Sequence, residues 1–159
     1  MSGDTRGRVR RMLEAHHTAT LATSGPEGPW AAAVFFASDA GLRLYFLSDS
    51  RTRHGRDLAA RPWAAAAIHA DCRDWSEIRG LQIEGAVTVL EGERREAALA
   101  LYLAKFTEVR RLIGQPRDAD EATIAGRLAA AGMYCLVPSL IRLIDNSRGF
   151  GFREEVRLG

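Results

Sequence analysis

The segment with the clearest chemical content is Ser48-Asp-Ser-Arg-Thr-Arg-His-Gly-Arg-Asp-Leu58. Hydroxyls at Ser48, Ser50 and Thr52 can donate to an anion. Arg51, Arg53 and His54 add positive charge. The segment follows an apolar alternation and opens a helical stretch, so backbone N–H groups and the helix dipole point the same way. Together these features make a cradle for one phosphate. The same residues also suit an ordinary capped surface helix with solvated arginines, because Ser and Thr caps are common.

Other chemistries lack their residues. No G-x-S-x-G elbow, phosphate-binding P-loop or G-x-G-x-x-G fingerprint occurs. His16, His17, His54 and His69 have no metal-ligand spacing, and Cys72 and Cys135 form no C-x-x-C pair. Two cysteines without a secretory leader argue against a disulfide framework. No acid or base is identifiable, so no catalytic residue is assigned.

The elements that must carry the cradle follow from periodicity. Residues 5–15 read as an amphipathic helix, capped by Asp4 or Thr5, with Val9, Met12 and Leu13 on one stripe. Residues 18–24 and 30–37 form two strands around Gly25-Pro-Glu-Gly-Pro29, a hairpin. A turn at 38–41 leads into a strand at 42–47. A short helix at 53–60 stops before Pro62, and residues 63–70 make a small-residue strand. A polar loop carrying Trp75 precedes the clearest strand, 79–90. There Leu81, Ile83, Val87 and Val89 share one face, Gln82, Glu84 and Thr88 the other, and Gly85 marks a bulge. Helices over 92–106 and 120–131 follow, the second ended by Gly132. A last strand, 134–144, is interrupted at Pro138, and residues 146–159 are a Gly-rich, charged tail. Strands that succeed one another at short spacing predict an α+β fold, mainly β: a small antiparallel barrel with added helices.

Length fits one domain over residues 1–159, with 47% hydrophobic and 26% charged residues, which excludes disorder. No apolar run reaches membrane-spanning length, and a cytoplasmic protein is expected. Lys105 is the only lysine, so 21 of the 22 basic residues are arginine. Twenty acidic residues reduce the net charge to +2, and the arginines are scattered. Abundant Arg and Ala are also what a GC-rich coding sequence gives. Neither a nucleic-acid nor a membrane partner is expected.

Four stretches carry a resemblance: Trp30-Ala-Ala-Ala-Val-Phe-Phe36, Leu44-Tyr-Phe-Leu-Ser48, Thr52-Arg-His-Gly-Arg-Asp-Leu-Ala-Ala-Arg-Pro62 and Gly80-Leu-Gln-Ile-Glu-Gly-Ala-Val87. Over residues 5–145 the chain resembles the pyridoxamine 5′-phosphate oxidase-like family of FMN-binding split barrels. The resemblance implies an antiparallel split β-barrel, FMN at a homodimer interface, and a small-molecule redox substrate. In the family a Ser-Arg-Lys type segment grips the FMN phosphate. Here Thr52 stands where Ser is common, Arg53 is retained, and His54 replaces Lys, with Arg51 alongside. Ala32, Ala33, Val34 and Phe35 fall where the family's second strand lies along the flavin ring. Gln82 is placed to bond flavin edge atoms, and Trp30 and Trp75 to stack on or cover a ring.

The resemblance leaves deazaflavin or haem as other planar cofactors, and storage or sensing as an alternative to catalysis. The ending Asp145-Asn-Ser-Arg-Gly-Phe-Gly-Phe152 is similar to that of a small bacterial branch of the family. It lacks the Trp…Arg-Leu-His-x-Arg motif of true pyridoxamine phosphate oxidases, so vitamin B6 oxidation is not expected. Arg148 and Phe150 are candidates to reach a partner subunit's site, against a disordered tail. Apolar faces over 63–70 and 134–137 are expected to serve a dimer contact.

Overall fold

The computed structural model describes residues 2–159, with side chains described from residue 4 on. Helix α1 (Ser2–Ala15) buries Thr5, Val9 and Leu13, spaced four apart on one stripe. Met1 lies outside the described residues. Strands β1 (Thr18–Gly25) and β2 (Gly28–Phe35) form the expected hairpin, in register from Thr18↔Phe35 to Gly25↔Gly28. Gly28 has φ +96°, which disfavours a side chain there.

After β3 (Ala37–Ser38) and β4 (Leu44–Ser48) comes α2 (Arg53–Ala60), then β5 (Trp63–His69) and β6 (Arg79–Leu90). Helices α3 (Gly92–Lys105), α4 (Thr107–Gly114) and α5 (Ala119–Ala130) precede β7 (Gly132–Asp145) and β8 (Arg153–Arg157).

The strands make one antiparallel sheet in the order β2-β1-β5-β6-β7-β4-β3, with β8 also paired to β7. β2 packs against β4, so the sheet curls until its ends meet. This is the antiparallel α+β barrel that the order of elements predicts, and the split barrel that the resemblance implies. Its inside is filled by alternate residues such as Leu21, Phe36, Leu44, Phe46, Ile68, Leu81 and Ile141. A second apolar cluster, including Tyr45, Met133, Cys135, Ala98 and Tyr102, lies where α3 covers the outside of β3, β4 and β7. Lys105 ties α3 to the end of α1, donating to the carbonyls of Leu13 at 3.2 Å and His16. It also lies 4.3 Å from the Phe36 ring centre.

Five expectations need correction. Neither Asp4 nor Thr5 caps α1, which already runs from Ser2. Residues 106–115 hold an extra helix, α4, because Phe106 (φ −105°, ψ 73°) breaks the helical path without ending it for good. Gly132 opens β7 and does not end α5: Ala131 is already extended, and Gly132 has no positive φ. The tail is not free chain. Asn146–Arg148 form a 3₁₀ turn and β8 pairs with β7, held by Arg142–Glu155 at 2.8 Å and by Arg8 and Thr5 on Glu154. Tyr134, Cys135 and Leu136 are buried, so of the expected 134–137 face only Val137 is exposed.

The bulge expected at Gly85 is present, with Ser139 as the extra residue on β7. A Cβ on Gly85 would lie 2.0 Å from the Val137 carbonyl oxygen, which explains the glycine. Among the described residues, no helix is long and apolar enough to cross a membrane.

Candidate functional site

The start of α2 is built by local chemistry. Thr52 caps the helix: its hydroxyl accepts from the Gly55 N–H at 3.1 Å and donates to the Asp49 carbonyl at 2.7 Å. Gly55 packs against the 49–50 backbone, where a Cβ would sit 2.8 Å from the carbonyl oxygens of Asp49 and Ser50. The far side of α2 is pinned to the β1–β2 hairpin. Buried Asp57 accepts a hydrogen bond from buried Thr23 at 2.9 Å, and Gly25 leaves the space that the Asp57 carboxylate fills.

This anchoring brings several expected residues together. Ser48, at the end of β4, meets His54 through its hydroxyl and the ring Nε2. Burial pushes the His54 imidazole below its ordinary value, with the Asp57 charge opposing, so the neutral ring is favoured near pH 7. The Arg53 guanidinium lies 4.3 Å from the Trp30 ring centre and donates to the Glu27 carbonyl at 3.1 Å. Its Nε is buried without a partner. Trp30 therefore stacks on an arginine in this structure. Arg51 turns outward onto Asp49 at 2.6 Å and is 85% exposed. Its guanidinium holds the Asp49 carboxyl down at about 2.

The β2 residues divide between two faces. Ala32 and buried Val34 point to the barrel interior side, whereas Ala33 and Phe35 stand exposed on the outside. Gln82 is also exposed and outside. Register then reveals a surface that reading the sequence strand by strand missed. One row runs Ala33, Thr20, Ala67, Gln82, Arg142 across five strands. The next runs Ala31, Ala22, Ala65, Glu84, Leu140. A shallow cavity of about 230 Å³ lies over Ala65, Gln82, Glu84 and Arg142. Only strand pairing aligns these small residues, so spacing within one strand gave no signal for it. At another corner Trp75 packs edge-on to Phe150, ring centres 5.8 Å apart, with Asn146 bonding the Trp75 carbonyl.

The curled antiparallel sheet with its added helices is a split barrel, and that defines the class of fold. Residues 5–133 match the family described as pyridoxamine 5′-phosphate oxidase, and the chain belongs to that family. It is 32% identical over 149 residues to the UPF0306 protein YhbP of Salmonella schwarzengrund, covering 93% of this chain and 90% of that one. Among solved structures it resembles a putative pyridoxamine 5′-phosphate oxidase from Listeria innocua (TM-score 0.64, 19% identity, 89% of this chain and 98% of that one). It also resembles a heme binding protein from Mycobacterium smegmatis (TM-score 0.70, 22% identity, 96% of this chain). This chain spans 57% of the length of that heme binding protein.

Proposed function

We propose that the protein is an FMN-binding oxidoreductase that works as a homodimer on a small-molecule redox substrate. The observation that carries this reading is the α2 start. There the first turn of α2 carries both the Arg53 guanidinium, whose buried Nε has no partner, and the Ser48–His54 pair. Such a group suits a terminal phosphate. Arg53 would give charge-assisted hydrogen bonds, Ser48 and His54 further contacts, and the first turn of α2 its N–H groups. Thr52 helps by fixing that turn, since its hydroxyl is spent on the cap. Arg51 would help only by leaving Asp49.

The outer face supports the rest. Ala31, Ala33, Ala65 and Ala67 allow a flat ring or a second copy to approach the backbone, and Gln82 offers an amide at the edge of that area. Ala32 and Val34 would support the ring only through their backbone. FMN, when bound, supplies the hydride-accepting chemistry. The residues here would bind and orient the group and exclude water, and no catalytic acid or base is assigned. A cytoplasmic location suits a dinucleotide-reduced flavin. Many arginines are paired with carboxylates, as in Arg8–Glu154, Arg111–Glu121 and Arg142–Glu155, which speaks against a basic nucleic-acid face.

Haem on the same face is the second reading. It is favoured by the likeness to the mycobacterial protein and by exposed His69, whose Nδ1 faces the Ala70 carbonyl at 2.9 Å and whose Nε2 points away from that bond.

The test is titration with FMN, followed by flavin fluorescence. Arg53→Ala should weaken binding by roughly 10- to 150-fold, the equivalent of one charged hydrogen bond. Arg110→Ala, on the exposed surface of α4, should bind as the parent does. Equal affinities in the two variants refute the cradle.

A further inference from the structure

On the same outer face of the sheet as the alanine rows, but further along β6 and β7, α3 roofs a cavity of about 410 Å³. That volume falls in the range of small-molecule sites. Its floor is a single cross-strand row: Tyr45 on β4, Cys135 on β7 and Thr88 on β6. Its roof is one face of α3, where Arg94, Ala97, Ala98 and Leu101 follow at helical spacing. Leu90 and Val137 close the sides, and Val137 is left 42% exposed.

The charges of this cavity can be accounted for group by group. Asp39 is fully engaged. It accepts from Tyr45 Oη at 2.8 Å, from Arg43 Nε at 2.8 Å and from the Arg43 N–H at 3.0 Å. Its charge is neutralised by Arg43. Burial pushes the Cys135 thiol up, and burial together with Asp39 pushes the Tyr45 phenol up, so the floor is neutral. Arg94 is different. It makes no ion pair or hydrogen bond among the described residues, and the residues three and four further along its helix are Ala97 and Ala98. It also sits in the first turn of α3, where the helix dipole disfavours a cation. The cavity thus combines an apolar wall, a neutral hydroxyl-bearing floor and one uncompensated guanidinium at its mouth.

We propose that this cavity binds a small organic monocarboxylate with an apolar body. The carboxylate pairs with Arg94, and the body lies between Leu101, Ala97 and Leu90. Thr88 gives the ligand a hydroxyl contact. A monoanion fits better than a phosphate dianion, because Arg94 is the single unmatched charge and the walls offer no array of N–H donors. The site is separate from the α2 cradle, and the proposal does not rest on flavin binding.

The experiment is calorimetric titration of the full chain with benzoate, and with benzamide as the uncharged analogue. Saturable binding of one benzoate per chain is expected, with benzamide weaker by at least about tenfold. Arg94→Ala should weaken benzoate binding by a similar factor. Ala97→Phe, at an exposed helix position where the fold tolerates bulk, should block it by filling the cavity. Arg53→Ala should leave it unchanged. Failure of benzoate to saturate overturns the proposal, as does either the Arg94 or the Ala97 variant binding like the parent, or benzamide binding as tightly as benzoate. Circular dichroism of each variant confirms that it is folded.

Discussion

Replacing Thr23 by valine should loosen the junction that sets α2, and with it the cradle. Valine keeps the shape of threonine but exchanges the hydroxyl for a methyl group. Thr23 is 4% exposed and Asp57 3%, so water cannot take over the lost bond without opening the packing. The bond is 2.9 Å long and its acceptor is a carboxylate. Hydrogen bonds to charged groups contribute about 1.5–3 kcal/mol. In a chain of this size each kcal/mol moves the melting temperature by about 2–4 °C, which gives a drop of roughly 3–12 °C. Urea unfolding followed by far-ultraviolet circular dichroism measures the free-energy change. Thr23→Ser keeps the hydroxyl and loses one methyl group, so it should cost only about 0.8 kcal/mol. The Thr23–Asp57 bond does not hold the junction if Thr23→Val is within about 0.5 kcal/mol of the parent, the scatter of neutral surface changes. The same holds if the serine variant is destabilised as much as the valine one.

Gly85→Ala puts a Cβ 2.0 Å from the Val137 carbonyl oxygen and 2.8 Å from the Pro138 Cα, both backbone atoms that cannot swing aside. It should cost at least about 2 kcal/mol in urea unfolding, and the bulge assignment is wrong if alanine is tolerated. Lys105 is held at about 8 against 10.5 for a free lysine, chiefly by burial, with the Glu14 charge opposing. Between those values the unfolded chain holds a proton that the native chain has released. Stability should therefore rise as pH climbs from about 8 to 10.5. Lys105→Met should remove that rise, and an unchanged pH profile would contradict the burial argument.

What the sequence made legible follows from how each element is stabilised. β6 shows itself because Leu81 and Ile83 alternate with Gln82 and Glu84, and Gly85 betrays the bulge. The start of α2 is local, so the Thr52 cap and the proposed phosphate contacts Arg53 and His54 stand together in the chain. β8 is hidden because its residues, Arg-Glu-Glu-Val-Arg, look like solvated tail. Partners far away in sequence hold it: Arg142, Arg8 and Thr5. β5 is blurred by alanines on both faces, which erase the period-two contrast. The alanine platform exists only through register between β1, β2, β5 and β6, and the α3 cavity only through packing of a helix on three strands. The Thr23–Asp57 bond spans 34 residues, and no motif announces it.

The most direct test of the central claim is the visible absorption spectrum of the purified protein after incubation with FMN and gel filtration. Flavin bands should co-elute with the protein at the mass of two chains, with one FMN per chain. A protein that stays colourless contradicts that claim, and a Soret band that excludes flavin would move the assignment to haem.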